Sequence, residues 1–358
     1  MPRTVNEEII TCLRRKILSG GFDRVTFLPP ERKLAEEYQV GRGIIRGTLR
    51  VLKEEGIIYN VPKRGFRIKN QTPRRLKRFI LRLPQPMSVK AYETMGIVSG
   101  ICAGANELFA EVLLSTPPAE LDLKELRERF NADDIQGIVF LEQISGFDLD
   151  QLKKSGIPFV IANQENELDA PSVRMDYREA GRLAGLRLFQ AGCRRPLVYS
   201  GPLDHFIYRD LLAGFRGAAA EENIPLDDSA VLCGTGHDPV PKLADRLTLP
   251  PGQRPEAVFT LRDYRAAHVY EICEKLSLRI PGDLEVISYD NITWPEAENR
   301  GLTSVTEEVQ LIGRESVQLL RKIFESGGDA PSVLVSGQLI ERGSLKTPAP
   351  SRPTVYRP

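Results

Sequence analysis

The stretch FLPPERKLAEEYQVGRGIIRGTLRVLKEEGIIYN, residues 27–60, decides the fold of the N-terminal part of the chain. Its two prolines allow a helix to begin directly after them. The inner face of that helix carries Leu34, Ala35 and Tyr38. The turn at 39–41 separates it from a second helix over about 42–55, which Gly56 would end. This order predicts a helix-turn-helix.

The second helix has two chemically different faces. At about 100° per residue, one arc is mostly apolar and carries Ile45, Thr48, Leu49 and Leu52. The other arc, roughly 80° wide, is basic and carries Arg42, Arg46, Arg50 and Lys53. Gly43 and Gly47 flank the basic arc. Because glycine inside a helix costs about 0.5–1 kcal/mol relative to alanine, their presence favours a surface that another molecule approaches closely.

A helix over 5–18 is predicted before this stretch, and two short strands, 57–59 and 66–68, are predicted after it. The segment that joins the strands contains Lys63, Arg64 and Gly65, so it predicts a hairpin with a basic tip. Three helices and a basic hairpin form a winged helix-turn-helix. In that fold one helix enters the major groove of DNA and the wing reaches the adjacent backbone or minor groove.

Several dispersed motifs match one family in register. They are Leu28-Pro29-Pro30-Glu31-Arg32, Val40-Gly41-Arg42, Ile45-Arg46-Gly47-Thr48-Leu49, Glu55-Gly56 and Lys63-Arg64-Gly65-Phe66. On these motifs, residues 5–69 resemble the DNA-binding domain of GntR-family regulators. The resemblance implies that Arg32 contacts a phosphate, that Arg42 and Arg46 face the groove, and that Gly65 forms the wing tip. The predicted DNA-binding set is completed by Gly43, Arg50, Lys63 and Arg64.

The distribution of charge also indicates a two-part chain. Residues 1–75 hold 17 Lys/Arg against 8 Asp/Glu, whereas the rest of the 358 residues hold 32 against 40. A basic head on an acidic body is typical of a polyanion-binding module joined to a ligand-binding one, although a solvated basic face would give the same balance. The polar N-terminus and the lack of an apolar run of about 20 residues predict a soluble, cytoplasmic protein.

Cysteine and histidine usage argues against metal chemistry. The five cysteines are widely spaced, and there are only three histidines. Structural zinc and a disulfide framework need closer pairing, so we expect buried free thiols, no metal and no cofactor. An enzyme is disfavoured as well. Gly234-Thr235-Gly236 lacks the third glycine of a dinucleotide fingerprint, and Ser200 is not in a G-x-S-x-G elbow.

From residue 76 onward, short apolar runs alternate with longer helical patterns, which predicts an α/β body with parallel sheets covered by helices. The apolar runs include 79–81, 138–140, 159–161, 197–199, 257–259 and 286–288. The helical patterns include 92–111, 176–191, 208–222, 264–277 and 307–325. About 270 residues is large for one sheet and suits two.

Five further stretches carry a second resemblance. They read AGCRRPLV, AGF, RPEAVFTLRD, IPGDLEVISYDN and LTSV, at 191–198, 213–215, 254–263, 280–291 and 302–305. On these, residues 76–343 resemble the effector domain of LacI/GalR regulators, which has a periplasmic-binding-protein-like fold. A GntR head on such a body is similar to the chimaeric arabinose-repressor type of regulator. The resemblance implies two lobes, joined by three crossings, that close on a ligand at the carboxyl ends of their strands.

The expected domain boundaries follow from both resemblances. They are a winged helix-turn-helix at 1–70, a linker at 71–75, an effector-binding domain at 76–346 and a tail at 347–358. Within the effector domain we expect lobe one at about 76–163 plus 292–326, and lobe two at about 164–291 plus 327–345.

Six residues near strand ends are candidates for effector binding: Asn163, His205, Arg209, Arg262, Asp290 and Trp294. Asp290 matches a family aspartate, which implies binding of ligand hydroxyls, and Arg262 replaces the usual Asn beside Asp263. We expect Asp263 to cap the helix that follows it. Hinge hydrogen bonding is the alternative role for Asp290 and Asn163, and lobe-interface packing is the alternative to sugar stacking for Trp294. Many relatives carry a ligand-binding arginine where this chain has Leu211, and His205 or Arg209 would have to replace it.

These features together predict a ligand-responsive, DNA-binding transcriptional regulator. More specifically, we expect a homodimeric repressor whose affinity for operator DNA is altered by a small, sugar-like effector. The alternative is the same head controlled by a non-sugar effector, or by a protein partner if the pocket is degenerate. The expected partners are double-stranded operator DNA and a carbohydrate. We do not expect the protein to bind a membrane.

Overall fold

The computed structural model describes residues 5–18, 27–62, 64–69, 75–84, 91–115, 123–132, 134–142, 144–165, 170–292, 300–327 and 330–347. Lys63, Trp294, residues 71–74 of the expected linker and residues 348–358 of the expected tail lie outside the described residues. Within the described ranges, no helix is both long and apolar enough to cross a membrane.

The head contains three helices and an antiparallel hairpin: α1 (Val5–Leu18), α2 (Glu31–Glu37), α3 (Arg42–Glu54), β1 (Ile58–Val61) and β2 (Gly65–Ile68). Pro30 precedes α2 with an extended backbone, and Gly41 precedes α3 in the same way. Gly56 has a φ of +70°, which ends the third helix as predicted. The buried core includes Leu13, Leu34, Ile45, Leu49 and Leu52. This is the winged helix-turn-helix that the sequence predicted.

The body alternates strands and helices along the chain. In order they are β3 (Arg78–Arg82), α4 (Ala91–Leu108), β4 (Glu111–Ser115), α5 (Leu123–Asn131), β5 (Ile138–Phe140), α6 (Gly146–Ser155), β6 (Phe159–Ala162), β7 (Ser172–Met175), α7 (Tyr177–Gln190), β8 (Pro196–Ser200), α8 (Phe206–Glu221), β9 (Val231–Cys233), α9 (Val240–Leu247), β10 (Ala257–Thr260), α10 (Asp263–Lys275), β11 (Glu285–Asp290), β12 (Thr303–Thr306), α11 (Val309–Ser326), β13 (Val333–Val335) and β14 (Leu339–Ile340). All six apolar runs singled out in the sequence lie in strands.

The strands of the body form two six-stranded sheets. Their orders are β13-β7-β6-β5-β3-β4 and β14-β12-β11-β10-β8-β9. From β7 to β4 and from β12 to β9 neighbouring strands run parallel, whereas β14 runs antiparallel to β12. The central strands β6, β8, β10 and β11 are buried along their whole length. Such continuously buried strands are typical of parallel sheets covered by helices on both faces. The predicted fold class is confirmed.

The chain divides into two compact units at positions that differ from the expected lobe boundaries. The first unit comprises Met1–Arg174 and Val309–Val333, and the second comprises Met175–Glu308 and Leu334–Pro358. Strand β7 pairs with β6 although lobe two was expected to begin at 164, and β12 pairs with β11 although 292–326 was expected in lobe one. Each of these strands extends the hydrogen-bonded ladder of its own sheet, so the crossings come later in the chain than the resemblance implied.

In each unit, two helices pack with their backbones unusually close together, and glycine residues lie at the contact. In the first unit, a Cβ atom on Gly100 of α4 would overlap the carbonyl oxygen of Gln310 in α11. In the second unit, a Cβ atom on Gly214 of α8 would overlap the carbonyl oxygen of Arg178 in α7. Only a residue without a side chain permits backbones this close. Glycine therefore sets the separation of both helix pairs.

Two smaller predictions need correction. The helix expected over 92–111 ends at Leu108, because Phe109 has a φ of +54° and β4 begins at Glu111. All five cysteines are free, as expected, but only Cys193 and Cys273 are buried, whereas Cys12, Cys102 and Cys233 are exposed. Burial raises the pKa of the Cys193 thiol to about 12, so this thiol is not reactive near pH 7.

Candidate functional site

Helix α3 presents its basic residues to solvent. Its buried side is formed by Ile45, Thr48, Leu49 and Leu52. On the opposite side, the side chains of Arg46 and Arg50 are 69% and 77% exposed. Arg42 and Gly43 are exposed as well, and nothing lies within 4 Å of the place where a Cβ of Gly43 would stand. A basic and unobstructed helix face of this kind fits the major groove of DNA.

The exposed arginines Arg46 and Arg50 form ion pairs with carboxylates of the head itself. The Nε of Arg46 donates to Oε2 of Glu31 at 2.8 Å and so joins α3 to the first residue of α2. Arg50 lies 4.0 Å from Glu54, one turn along the same helix. Exposed pairs of this type contribute about 0–1 kcal/mol, so DNA phosphates can compete with these carboxylates for the arginines. The sequence pattern gave no sign of the contact between Arg46 and Glu31.

Arg32 and the wing flank α3. Arg32 is 72% exposed and pairs with Glu36 at 3.3 Å. In the hairpin, Val61 lies opposite Gly65, whose φ of +93° is strained for any other residue, and Arg64 is exposed. Lys63 lies outside the described residues. The exposed predicted DNA-binding residues therefore come from α2, α3 and the hairpin.

In the second unit, the carboxyl ends of β10 and β11 bring together Arg262 and Asp290, two of the effector-binding candidates named from the sequence. Oδ2 of Asp290 lies 3.5 Å from Nη1 of Arg262. Oδ1 of Asp290 accepts the backbone N–H groups of Asp263 and Ile292, at 3.3 and 3.4 Å. The backbone of Asp290 has a φ of +106°, an uncommon conformation for a residue with a side chain. Such strain is typical of functional or hinge positions.

Sequence reasoning missed Glu307 and Tyr177, which complete this cluster. Nη1 of Arg262 donates to Oε2 of Glu307 at 2.7 Å, and the hydroxyl of Tyr177 donates to Oε1 of the same carboxylate at 2.9 Å. The Arg262 guanidinium also lies 5.7 Å from the centre of the Tyr289 ring. Glu307 follows β12 directly, and that position at a strand end was the available signal. Neighbouring carboxylates and a guanidinium offer the hydrogen-bond acceptors and donors that sugar hydroxyls need.

Burial dominates the electrostatics of Asp290. Its side chain is 1% exposed, and this desolvation raises its pKa well above the ordinary range. The negative charges of Asp263 and Glu307 act in the same direction, whereas the Arg262 guanidinium lowers the pKa. Asp290 is therefore held in its neutral form over a wider pH range than an exposed aspartate.

The helix cap predicted for Asp263 is wrong. Helix α10 begins at Asp263 itself, and Arg262 occupies the capping position without a side-chain cap bond. Asp263 instead accepts the hydroxyl of Ser304 at 2.8 Å and the backbone N–H of Ile292 at 3.0 Å. Both partners are distant from Asp263 in the sequence, whereas a helix-capping side chain bonds to a backbone N–H only two or three residues away. Asp263 joins the start of α10 to β12 and to the segment after β11.

His205 and Arg209 lie at the start of α8, which follows β8. His205 is the capping residue, and its Nδ1 accepts the backbone N–H of Ile207 at 3.4 Å while its ring stacks on Phe206 at 5.2 Å. Arg209 is exposed. Leu211, at the position where relatives carry an arginine, is fully buried. That position belongs to the core here.

In the first unit, Asn163 lies after β6 and is 2% exposed, with a φ of +51°. Its Nδ2 donates to Oε1 of Glu93 on α4 at 2.6 Å. The neighbouring strands β3 and β5 end in a partly buried ion pair between Arg82 and Glu142, whose Nε and Oε1 are 2.7 Å apart. Ser115 also accepts from Arg82, at 3.0 Å. Sequence reasoning missed Glu93 and Arg82, although Arg82 ends an apolar run. Trp294 lies outside the described residues.

A metal site in the described parts of either unit would need several His, Cys, Asp or Glu side chains that hold the ion together. Among the residues described above, no group of three or more His, Cys, Asp or Glu side chains could hold a metal ion. The strand-end clusters consist of carboxylates, guanidinium groups, an amide and a phenol. Such groups bind a polar organic ligand through hydrogen bonds.

Two family models match the chain. Residues 5–68 match bacterial regulatory proteins of the gntR family, and residues 185–345 match a periplasmic binding protein-like domain. The chain joins a gntR-family DNA-binding domain to a periplasmic binding protein-like effector domain. Both resemblances stated from the sequence are confirmed. This regulator is a DNA-binding transcription factor and not an enzyme.

Individual relatives agree with this assignment. The arabinose metabolism transcriptional repressor of Geobacillus stearothermophilus is 25% identical to the regulator, over 92% of this chain and 94% of that protein. A LacI-family regulatory protein from Chloroflexus aggregans superposes with a TM-score of 0.62 at 23% identity, covering 75% of this chain and 98% of the other. The transcriptional regulator CelR in complex with cellobiose gives a TM-score of 0.61 at 23% identity, covering 88% and 100%. The two structures bear on the fold alone.

Proposed function

We propose that this regulator is a homodimeric repressor that acts in the cytoplasm and whose affinity for operator DNA changes when a carbohydrate binds the effector domain. The observation that carries the proposal is the exposed basic face of α3. In the chain, the head that contains α3 is followed by two largely parallel sheets. The head supplies the DNA-binding surface, and each unit carries polar groups at its own strand ends that suit a polar ligand.

The DNA-binding part of the proposal assigns a role to each exposed arginine. Arg42 and Arg46 would read base edges in the major groove, whereas Arg32, Arg50 and Arg64 would contact phosphates. Gly43 leaves room for the DNA surface beside α3. Two copies related by a twofold axis would present two such heads to a pseudo-palindromic operator.

The effector part rests on the chemistry of the strand ends. In the second unit, Asp290 and Arg262 would hold the hydroxyls of a sugar, because carboxylate oxygens accept such bonds while guanidinium N–H groups donate them. His205 and Arg209 would extend the same surface from the start of α8. In the first unit, the amide of Asn163 offers both an acceptor and a donor of the same kind. A relative named for arabinose metabolism supports a carbohydrate rather than another class of ligand.

The test begins with the full chain and no assumption about the sugar. Thermal unfolding is followed in the presence of pentoses, hexoses, uronates and their phosphates, each at the same concentration and ionic strength. A ligand that binds only the folded state raises the melting temperature, by an amount set by the ratio of its concentration to its Kd. We expect one sugar class to stand out from the panel.

A panel without any hit would contradict the carbohydrate assignment and favour a protein partner. A hit is then checked with the variant Asn163→Ala and with an exposed control, Arg279→Gln, whose side chain is 80% exposed in a pair with Asp283. The control should keep the full response. Loss of the response in the control would show that the shift arises from unspecific charge effects.

A further inference from the structure

Arg265 of the second unit is a buried guanidinium without a counter-charge. It lies in the first turn of α10 and is 1% exposed. Its Nη2 donates to the carbonyl oxygen of Gly234, after β9, at 3.0 Å. Among the residues that the structure describes, no acceptor lies in hydrogen-bond geometry with the Nε and Nη1 atoms of Arg265, and no carboxylate pairs with it. A buried charge in this condition is unusual because its desolvation is not compensated.

Neutral rings surround this guanidinium. Its Cζ lies 5.1 Å from the centre of the Tyr199 ring and 5.3 Å from that of Tyr264. Burial raises the pKa of both phenols, so neither is an anion near pH 7. The nearby Arg265 guanidinium lowers the pKa of Tyr199, but burial outweighs that effect. The Tyr199 hydroxyl lies 2.9 Å from Nδ1 of His268, and burial lowers the pKa of that imidazole. Two rings stabilise the cation from its faces, but nothing in this group supplies a negative charge.

The contrast with Arg262, three residues earlier, follows from the strand order. Strand β10 lies between β11 and β8. Arg262 extends toward the ends of β11 and β12, where it pairs with Asp290 and Glu307. Arg265 extends toward β8 and β9, where it meets rings and the Gly234 carbonyl. Two arginines at the start of α10 therefore differ: Arg262 pairs with carboxylates, whereas Arg265 has no anionic partner among the described residues.

We propose that Arg265 anchors an oxyanion site in the second unit, which receives a phosphate or carboxylate group of a small ligand. The two unused donor atoms would bond the anion, and the N-terminal turn of α10 adds a favourable dipole. Tyr264 is 50% exposed and covers one face of the guanidinium, so its ring must turn aside to admit the ligand. The site does not require that the anion be the carbohydrate effector, so it stands or falls independently of the proposed function.

The test is a titration of the full chain with inorganic phosphate, followed by thermal unfolding, with sodium chloride adjusted to keep the ionic strength constant. We expect a saturable rise in Tm of about 2 °C or more for the wild type. Arg265→Met should lose this rise. Phosphate bound by the basic head affects both proteins equally, so their difference reports the second unit alone. Arg279→Met, an exposed change on the same unit, should respond like the wild type.

The baseline without phosphate gives an independent readout. Since methionine removes an uncompensated charge and keeps an unbranched chain, Arg265→Met should melt at or above the wild-type temperature. An equal phosphate response in both proteins, or none in the wild type, would overturn the proposal. A lower melting temperature for Arg265→Met, with no response of the wild type, would assign Arg265 a purely structural role.

A second variant decides the matter if Arg265→Met does not fold. Tyr264→Ala removes the half-exposed cover and should reach its half-maximal response at a lower phosphate concentration than the wild type. An unchanged half-maximal concentration would contradict the site. A parallel titration with acetate separates the two ligand chemistries. A response to phosphate alone assigns a phosphoryl group, and a response to acetate as well assigns any small oxyanion.

Discussion

Arg262 and Glu307 form a buried ion pair, with 2.7 Å between Nη1 and Oε2, although 45 residues separate them in the chain. Their side chains are 12% and 4% exposed. The pair joins the start of α10 to the end of β12 within the second unit. The hydroxyl of Tyr177 donates to the other oxygen of Glu307, so this carboxylate is satisfied at both of its oxygens.

Removing one partner of this pair should be costly. Glu307→Ala leaves the Arg262 guanidinium buried beside Asp290 alone, and breaking a buried pair in this way costs about 3–5 kcal/mol. The free energy of unfolding from urea denaturation measures the loss. Tyr177→Phe, which removes a single hydrogen bond to the same carboxylate, should cost about 0.5–1.5 kcal/mol. Equal stability of Glu307→Ala and the wild type would show that the pair contributes nothing.

Asp290→Asn tests the role of the carboxylate at the end of β11. The change keeps the shape and the oxygen that accepts the N–H groups of Asp263 and Ile292, so folding and DNA binding should survive. If the ionised Asp290 holds sugar hydroxyls through charge-assisted bonds worth about 1.5–3 kcal/mol each, ligand affinity measured above its raised pKa should fall at least about tenfold. Calorimetric titration with the sugar from the screen gives the affinity. Wild-type affinity in the folded variant would assign Asp290 to the hinge instead.

The pH dependence of stability gives a second test of Asp290. Because its pKa is raised in the folded state, this group favours folding below the pKa of the unfolded chain and loses that contribution as the pH rises through the folded-state pKa. Asparagine does not ionise. The free energy of unfolding of the wild type, measured relative to Asp290→Asn, should therefore fall as the pH rises from about 4 to 7. A difference that stays constant over this range would contradict the raised pKa.

Arg46→Ala tests the groove-facing assignment of α3. Loss of a bidentate contact to a base should weaken operator binding by about 1–3 kcal/mol and relax the base preference. Arg64→Ala in the hairpin should weaken binding evenly across sequences and reduce the salt slope by about 1. Fluorescence anisotropy at a salt concentration where the wild type is half bound distinguishes the two. Unchanged affinity of Arg46→Ala would exclude the assignment.

Gly214→Ala tests the close crossing of α7 and α8. The added Cβ would overlap the carbonyl oxygen of Arg178, so the helices must separate, and we expect a loss of about 1–3 kcal/mol or more. Gly217, three residues later in α8, has nothing within 4 Å of its Cβ position. Gly217→Ala should therefore stabilise the chain by about 0.5–1 kcal/mol. Urea denaturation of both variants gives the comparison, and two equal effects would contradict the role of the crossing.

The sequence predicted the fold well where the signal was local. The apolar and basic arcs of α3 and the buried strands β3, β5, β6, β8, β10 and β11 follow from periodicity and run length. The lobe boundaries did not, because the sheet to which each of β7 and β12 belongs is decided by which hydrogen-bonded ladder that strand extends. The local sequence pattern does not show which sheet a strand joins.

The candidate site was predicted only in part for the same reason. Asp290 and Arg262 lie at strand ends, and the resemblance pointed to both. Glu307, Tyr177 and Arg82 became visible only when the sheet order brought distant strand ends together. Asp263 looked like a helix cap because its position beside α10 fits one, yet its side chain bonds to Ser304, 41 residues away.

The most direct test of the account is the titration of the full chain onto its operator, with and without a saturating concentration of the sugar found in the screen, at one fixed salt concentration. Coupling between sites of about 1–3 kcal/mol predicts a change in operator affinity of about 5–150-fold. By linkage, operator DNA must change the affinity for the sugar by the same factor. Superimposable binding curves with and without the bound sugar would contradict the account.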